Sequence, residues 1–206
     1  MSRSALTLAG LTGATTAVTV ANRLGALDAR TLASSPQQLA DGRVWLLLTS
    51  AVLADRPAAA SILGFFAVGL AALAICGSRV LCVSALLGHV GSALAVYLGI
   101  GLVRHLSHGA WQGAIAAPDY GTSAVIAAWI GAIAFVAWRH RLYTATVGLV
   151  AAAAAIGWLC KGSLTVIDSE HAFAVTIGVA TARLAPTLRL PRLVRRPAPA
   201  PQELAR

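Results

Sequence analysis

A serine and a histidine stand near the starts of two apolar segments, and together they could perform nucleophilic catalysis. Ser123 lies among small residues in Gly121-Thr122-Ser123-Ala124, just inside the segment Tyr120–Trp138. His171 follows Asp168-Ser169-Glu170 and opens a later apolar segment. A serine hydroxyl is a poor nucleophile until a base accepts its proton, and a neutral imidazole can be that base. Backbone N–H groups at a helix start, with Gly121 as a candidate, could hold the resulting oxyanion.

Plainer interpretations of both residues stay open. A serine in a membrane helix usually hydrogen-bonds a carbonyl one turn earlier in its own helix. His171, close to Asp168 and Glu170, could simply cap a helix at the membrane surface. The sequence therefore predicts a Ser123–His171 dyad as one hypothesis beside these structural roles.

The remaining histidines supply one supporting candidate and no metal site. His89 lies inside the apolar segment Val80–Val103, where an ionisable residue is costly and is a functional hypothesis by default; its alternative role is a structural hydrogen bond. His105 and His108 are three residues apart, but only Asp119 could complete a ligand set nearby, so we predict no metal. The cysteines form no metal-binding pattern either, and no cofactor is expected.

The amino-acid composition predicts a polytopic membrane protein. Of 206 residues, 58% are hydrophobic and 11% charged, and the mean hydropathy is +0.77. Soluble domains are about half apolar and a quarter charged. The net charge of +9 does not indicate nucleic-acid binding, because the excess lies largely at the C-terminus and lacks stacking aromatics. A basic tail after a membrane helix instead suits the cytoplasmic side and anionic lipid heads.

The apolar blocks predict an all-α bundle of six transmembrane helices within residues 1–185. A shorter apolar run, Val44–Leu53, suits a partly membrane-embedded insert in the first outer loop, and Ser35-Pro36 predicts a turn or a helix start there. The basic, Pro-rich tail at 186–206 is expected to be disordered. The predicted spans are Leu6–Ala21, Ala58–Ile75, Val80–Val103, Tyr120–Trp138, Leu142–Cys160 and a sixth that includes His171–Leu184.

Charge placement predicts the orientation of the bundle. With the N-terminus inside, ten basic residues fall on the cytoplasmic side and six outside, whereas six acidic residues fall outside and one inside. The positive-inside rule favours this arrangement. Both termini are then cytoplasmic, and spans four and six start at the outer face, which places Ser123 and His171 at similar depth. Small residues at four-residue spacing (Ser123, Ala127 and Gly131; Ala174, Gly178 and Ala182) predict close packing of these two helices.

Taken together, these features resemble the rhomboid family of intramembrane serine proteases. The shared features are the apolar insert in the first outer loop, Gly-x-Ser at span four, His at span six and six spans with both termini inside. Gly42–Ser50, which reads GRVWLLLTS, is also similar to the family pattern leading out of the first loop. The resemblance implies that Ser123 is the nucleophile and His171 the base. It also implies a transmembrane protein as substrate, cleaved near the outer face of a bacterial plasma membrane.

The chain departs from the family pattern at three places. Ala124 stands where Gly-x-Ser-Gly has its last glycine, and Ala127 stands where an aromatic residue commonly packs on the base. The second span begins Ala58–Gly64, without the His and Asn that help to hold the oxyanion. Two alternatives therefore stay open. One is a catalytically inactive rhomboid-like protein that binds transmembrane helices; the other is an unrelated small transporter, which requires paired ionisable residues and an internal repeat.

Overall fold

A computed structural model describes residues 3–54, 57–106, 115–161 and 168–185, and their regular structure is helical apart from one isolated bridge between Ser34 and Asp119. His108 and the tail at 186–206 lie outside the described residues. Short 3₁₀ turns occur at Ala29–Thr31 and Ser50–Val52. The helices are α1 (Arg3–Arg23), α2 (Pro36–Ala40), α3 (Leu46–Thr49), α4 (Ala58–Leu106), α5 (Thr122–Arg139), α6 (Tyr143–Lys161) and α7 (Asp168–Leu184).

Two helices in the described part of the chain, α4 and α5, are long and apolar enough to cross a membrane. Their most apolar stretches have mean hydropathies of 2.3 and 1.5. The 49 residues of α4 would run for about 74 Å if straight, far more than one bilayer crossing needs. Membrane association is thus supported by two helices.

Helix α4 is a hairpin of two arms that turn at Gly77. This glycine has φ +82° and ψ 168°, a conformation that a residue with a Cβ rarely adopts. The Trp129 ring lies against Gly69 before the turn, and its Nε1 donates to the Leu81 carbonyl 2.9 Å away after it. Farther from the turn, Gly64 faces Ile126 and Gly88 faces Ala128, so the arms at 58–76 and 78–106 both pack along α5 and lie side by side. The two arms correspond to the predicted second and third spans.

The first loop is built from short elements. Helix α2 begins at Pro36 with Ser35 as its N-cap, whose hydroxyl accepts from the Gln38 N–H, as the Ser35-Pro36 pair predicts. The apolar run Val44–Leu53 becomes α3 and a 3₁₀ turn, neither of which is long enough to cross a membrane. Ser50, within this run, is completely buried against α4, so the loop is packed on the helical core.

Helix α5 lies at the centre of the core, between α4 and α7. Its Trp129 is completely buried, with the Phe65 ring 4.8 Å away between centroids. The crossing of α5 and α7 is very close, because a Cβ at Gly131 would collide with the Val175 carbonyl and one at Gly178 with the Ala128 carbonyl. Ala127 and Ala174 are buried beside this crossing. The predicted packing of two small-residue stripes is therefore confirmed.

Candidate functional site

The histidine inside the α4 hairpin is the point where the starts of α5 and α7 meet. His89 is completely buried in the second arm of α4. Its ring lies against Gly121, immediately before α5, so closely that a Cβ at Gly121 could not be accommodated. Its Nδ1 atom is 3.6 Å from Oε1 of Glu170, in the first turn of α7. Both helices therefore start on the same side of their crossing and run in the same direction.

Ser123 and His171 lie on these two helix starts. The Ser123 hydroxyl is half-buried and donates a long hydrogen bond of 3.4 Å to the Tyr120 carbonyl. His171 is also half-buried and makes an interaction of its own. The structure thus brings together the two helices that carry the predicted dyad. A direct hydrogen bond between the two side chains stays a prediction.

Around His89 the loop and three helices enclose a network of buried hydroxyl groups. His89 Nε2 is 2.9 Å from Ser50 Oγ, and Ser50 Oγ is 3.1 Å from Ser34 Oγ. Ser34 Oγ is 2.9 Å from the Tyr97 hydroxyl, which donates to Asp119 Oδ2 at 2.8 Å. The main chain closes the same ring of contacts, because Asp119 N–H donates to the Ser34 carbonyl at 2.8 Å. Burial of these groups is tolerated because each hydroxyl has partners.

The direction of this hydrogen-bond chain determines whether Nε2 of His89 carries a hydrogen. Each hydroxyl has a single hydrogen to donate. When Asp119 is ionised, Tyr97 donates to it, so Ser34 must donate to Tyr97 and Ser50 to Ser34. The Ser50 oxygen is then left to accept from His89, which must carry its hydrogen on Nε2. The Nδ1 atom of a neutral His89 therefore presents a lone pair toward Glu170.

Two carboxyl groups share this enclosed space. Asp119 and Glu170 are 6% and 2% exposed, and no Lys or Arg in the described part of the chain forms an ion pair with either. Burial raises the pKa of Asp119 to about 6, and the neighbouring Glu170 adds to the rise. The Ser92 hydroxyl hydrogen-bonds the Gly88 carbonyl of its own helix and also lies 3.2 Å from Glu170 Oε1. Asp119 thus receives a hydroxyl donor from Tyr97, but no Lys or Arg among the described residues balances the charge of the two carboxyl groups.

The Nδ1 atom of His89 is one of two buried side-chain polar atoms without a hydrogen-bond partner among the described residues. Its 3.6 Å separation from Glu170 exceeds the 2.7–3.2 Å range of N–H···O hydrogen bonds. One ligand atom each from His89, Asp119 and Glu170 lie within 4.8 Å of one another. Three groups that can bind a cation therefore converge where a buried nitrogen has no hydrogen-bond partner among the described residues.

Gly121 has a packing role in this arrangement. The absence of a side chain leaves room for the His89 ring. The Gly121 N–H donates to the Ser50 carbonyl at 2.9 Å, so it is engaged and does not face a substrate. An oxyanion role for Gly121 would require this bond to open.

Sequence reasoning found His89 but not the residues that surround it. Ser34, Ser50, Ser92, Tyr97 and Glu170 were not singled out as site residues, and Asp119 was considered only beside His105 and His108. One feature of the sequence could have indicated the two carboxyl groups. Asp119 stands just before one helix and Glu170 in the first turn of another, and the small residues of these helices predict that they pack together. The cluster also supplies the paired ionisable residues that the transporter alternative requires, although no internal repeat accompanies them in the sequence.

Comparison with known proteins gives no relative: no protein-family model, no curated protein and no solved structure matches this chain.

Proposed function

We propose that the chain is a six-span, rhomboid-like intramembrane serine hydrolase that cleaves single-span membrane proteins near the outer face. Ser123 is the nucleophile and His171 the general base. The observation that carries the proposal is the meeting of the α5 and α7 starts at His89. It supports a site at which the two residues act together, since each lies in the first turn of its helix.

The register of the helix crossing supports similar depths for the two residues. The close contacts are centred between Ala128 and Gly131 on α5 and between Val175 and Gly178 on α7. With a rise of 1.5 Å per residue, Ser123 lies about 10 Å from the first centre, toward the helix start. By the same measure, His171 lies about 8 Å from the second. The difference is less than one helical turn, which is compatible with a hydrogen bond after side-chain rotation.

Catalysis requires the Ser123 hydroxyl to leave the Tyr120 carbonyl and donate to His171. The existing bond is long, at 3.4 Å, so its loss costs little. His171 then accepts the proton as Ser123 attacks the scissile carbonyl, and returns it to the leaving amine. No side chain in the described part of the protein caps the start of α5, so its first-turn N–H groups are available to hold the oxyanion.

Ser50 is the other serine beside a histidine, and its environment argues against a nucleophilic role. It is completely buried and hydrogen-bonded to Ser34. With Asp119 ionised, His89 donates its Nε2 hydrogen to Ser50 and cannot accept a proton there. Ser123 is half-buried, so water and substrate have a shorter path to it.

Fluorophosphonate labelling of the full chain in detergent, followed by peptide mapping, tests the proposal. We expect the label on Ser123, and its loss in Ser123→Ala and His171→Ala. Ser84→Ala is the matched control, because Ser84 hydrogen-bonds only carbonyls of its own helix in the described network. Labelling of Ser50 would identify Ser50, and not Ser123, as the nucleophile. If the folded wild type is not labelled and does not cleave a panel of single-span substrates, the protease proposal is overturned. The catalytically inactive protein that binds transmembrane helices would then be favoured.

A further inference from the structure

The three ionisable side chains at the meeting point of α4, α5 and α7 form a donor set for a metal ion. His89, Asp119 and Glu170 are almost completely buried and come from three separate parts of the chain. We propose that they bind one divalent transition-metal ion of the zinc class. This inference does not rest on the hydrolase proposal, because it concerns a different set of side chains.

The spacing of the donor atoms suits a metal better than a hydrogen bond. Zinc binds imidazole nitrogen and carboxylate oxygen at about 2.0–2.2 Å, so two ligands in a tetrahedral site lie about 3.4 Å apart. His89 Nδ1 and Glu170 Oε1 are 3.6 Å apart. All three donor atoms lie within 4.8 Å of one another, so only a small movement of the Asp119 carboxyl group is needed for one ion to contact all three.

The surrounding hydroxyl groups hold the donors as a metal site requires. Histidine ligands usually donate their second ring N–H to an oxygen, which fixes the tautomer. Here Ser50 accepts from Nε2 when Asp119 is ionised, leaving the Nδ1 lone pair directed into the cluster. Tyr97 donates to Asp119 and orients its carboxylate, and the Ser92 hydroxyl lies 3.2 Å from Glu170 Oε1.

Charge balance indicates a divalent ion. A neutral His89 with ionised Asp119 and Glu170 carries two negative charges in a space without Lys or Arg ion pairs in the described chain. Burying such charge without compensation is very unfavourable. One divalent cation neutralises it completely. The mixed nitrogen and oxygen donors favour zinc over calcium or magnesium, which prefer oxygen alone.

Metal content and cobalt spectroscopy test the site in the full chain purified in detergent without a polyhistidine tag. After equilibration with zinc and dialysis, we expect about one zinc per chain. Replacement by Co²⁺ should give the visible absorption of a four- or five-coordinate site. Affinity is measured by competition with a chromogenic chelator. Asp119→Asn, Glu170→Gln and His89→Gln keep the side-chain volume nearly constant and should each weaken zinc binding roughly 100-fold or more.

His105→Gln is the matched control for adventitious binding, since His105 is an exposed histidine outside the cluster. It should bind zinc as the wild type does. Folding of each variant is checked by circular dichroism and size-exclusion chromatography. A wild type without stoichiometric zinc, or zinc binding that His105→Gln abolishes or the three cluster variants leave unchanged, would overturn the inference. If a cluster variant does not fold, the cobalt spectrum of the wild type tests the inference instead. An octahedral spectrum, which surface binding would give, would contradict the proposed metal site.

Discussion

His89 Nδ1 and Glu170 Oε1 face each other across 3.6 Å, although 81 positions separate the two residues in the chain. The distance is too long for a hydrogen bond and suited to two ligands of one ion. The same juxtaposition brings the start of α7 to the start of α5. One contact therefore links the proposed metal site to the helices that carry Ser123 and His171.

Ser50→Ala should weaken zinc binding roughly 10–100-fold while the protein stays folded. The substitution removes the oxygen that accepts the Nε2 hydrogen of His89 and so fixes the ring tautomer. Affinity is measured by chelator competition, with Ser84→Ala as a buried serine control that should bind zinc normally. Equal affinities in Ser50→Ala and the wild type would show that Ser50 does not position the ligand.

Tyr97→Phe should destabilise the protein by about 1–3 kcal/mol. The change removes the donor to Asp119 and leaves Ser34 without its tyrosine partner, both in buried surroundings. Tyr143→Phe is the control, because Tyr143 is 47% exposed and packs edge-on against Trp138. Thermal unfolding followed by tryptophan fluorescence measures the effect. A Tyr97→Phe transition as high as that of Tyr143→Phe would contradict a stabilising role for the network.

Gly121→Ala should lower thermal stability and zinc affinity together. The added methyl group would occupy the position of the His89 ring, and such overpacking typically costs about 1–3 kcal/mol. Gly99→Ala provides the comparison, since nothing lies within 4 Å of a Cβ there. Alanine has a higher helix propensity than glycine, so Gly99→Ala should be neutral or slightly stabilising. If Gly121→Ala and Gly99→Ala have the same melting temperature and both bind zinc as tightly as the wild type, the His89 ring does not lie against Gly121.

Cysteines placed at Ser123 and His171 should cross-link through a short bismaleimide, after the native cysteines are replaced. The prediction follows from the parallel helices and their crossing, which put the two positions at similar depth. The control pairs Ser123→Cys with Leu184→Cys, whose positions on parallel helices differ in depth by roughly 20 Å. Cross-linked peptides are identified by mass spectrometry. Equal yields in the two pairs would contradict the proposed register.

Gly178→Ala should disrupt the α5–α7 crossing and reduce cross-linking between positions 123 and 171. A methyl group at Gly178 would collide with the Ala128 carbonyl, and a main-chain atom cannot move aside without shifting its helix. Gly148→Ala on α6 is the control, because a Cβ there meets no atom within 4 Å. Unchanged stability and cross-linking in Gly178→Ala would mean that the helices tolerate a wider separation.

Local patterns in the sequence were sufficient to predict several parts of the fold. Ser35 before Pro36 predicted a helix start, because the cap and the proline act within a few residues. The small residues at Gly131 and Gly178 predicted close helix packing, since a missing side chain permits close approach of two backbones. The break near Gly77 falls between Ala58–Ile75 and Val80–Val103, which the sequence predicts as separate spans. The predicted six spans and the Ser123–His171 dyad remain hypotheses.

The sequence by itself determined that long apolar blocks form helices and that Ser123, His89 and His171 lie in or at the ends of them. Hydropathy and spacing act along the chain, so they can be read without a structure. Only the tertiary structure decided that His89 faces Asp119 and Glu170. The rotation of each helix about its axis, and the return of the loop around Ser34 and Ser50, depend on packing between distant segments. That packing also decides which buried polar atoms find partners, and it leaves Nδ1 of His89 directed toward two carboxyl groups.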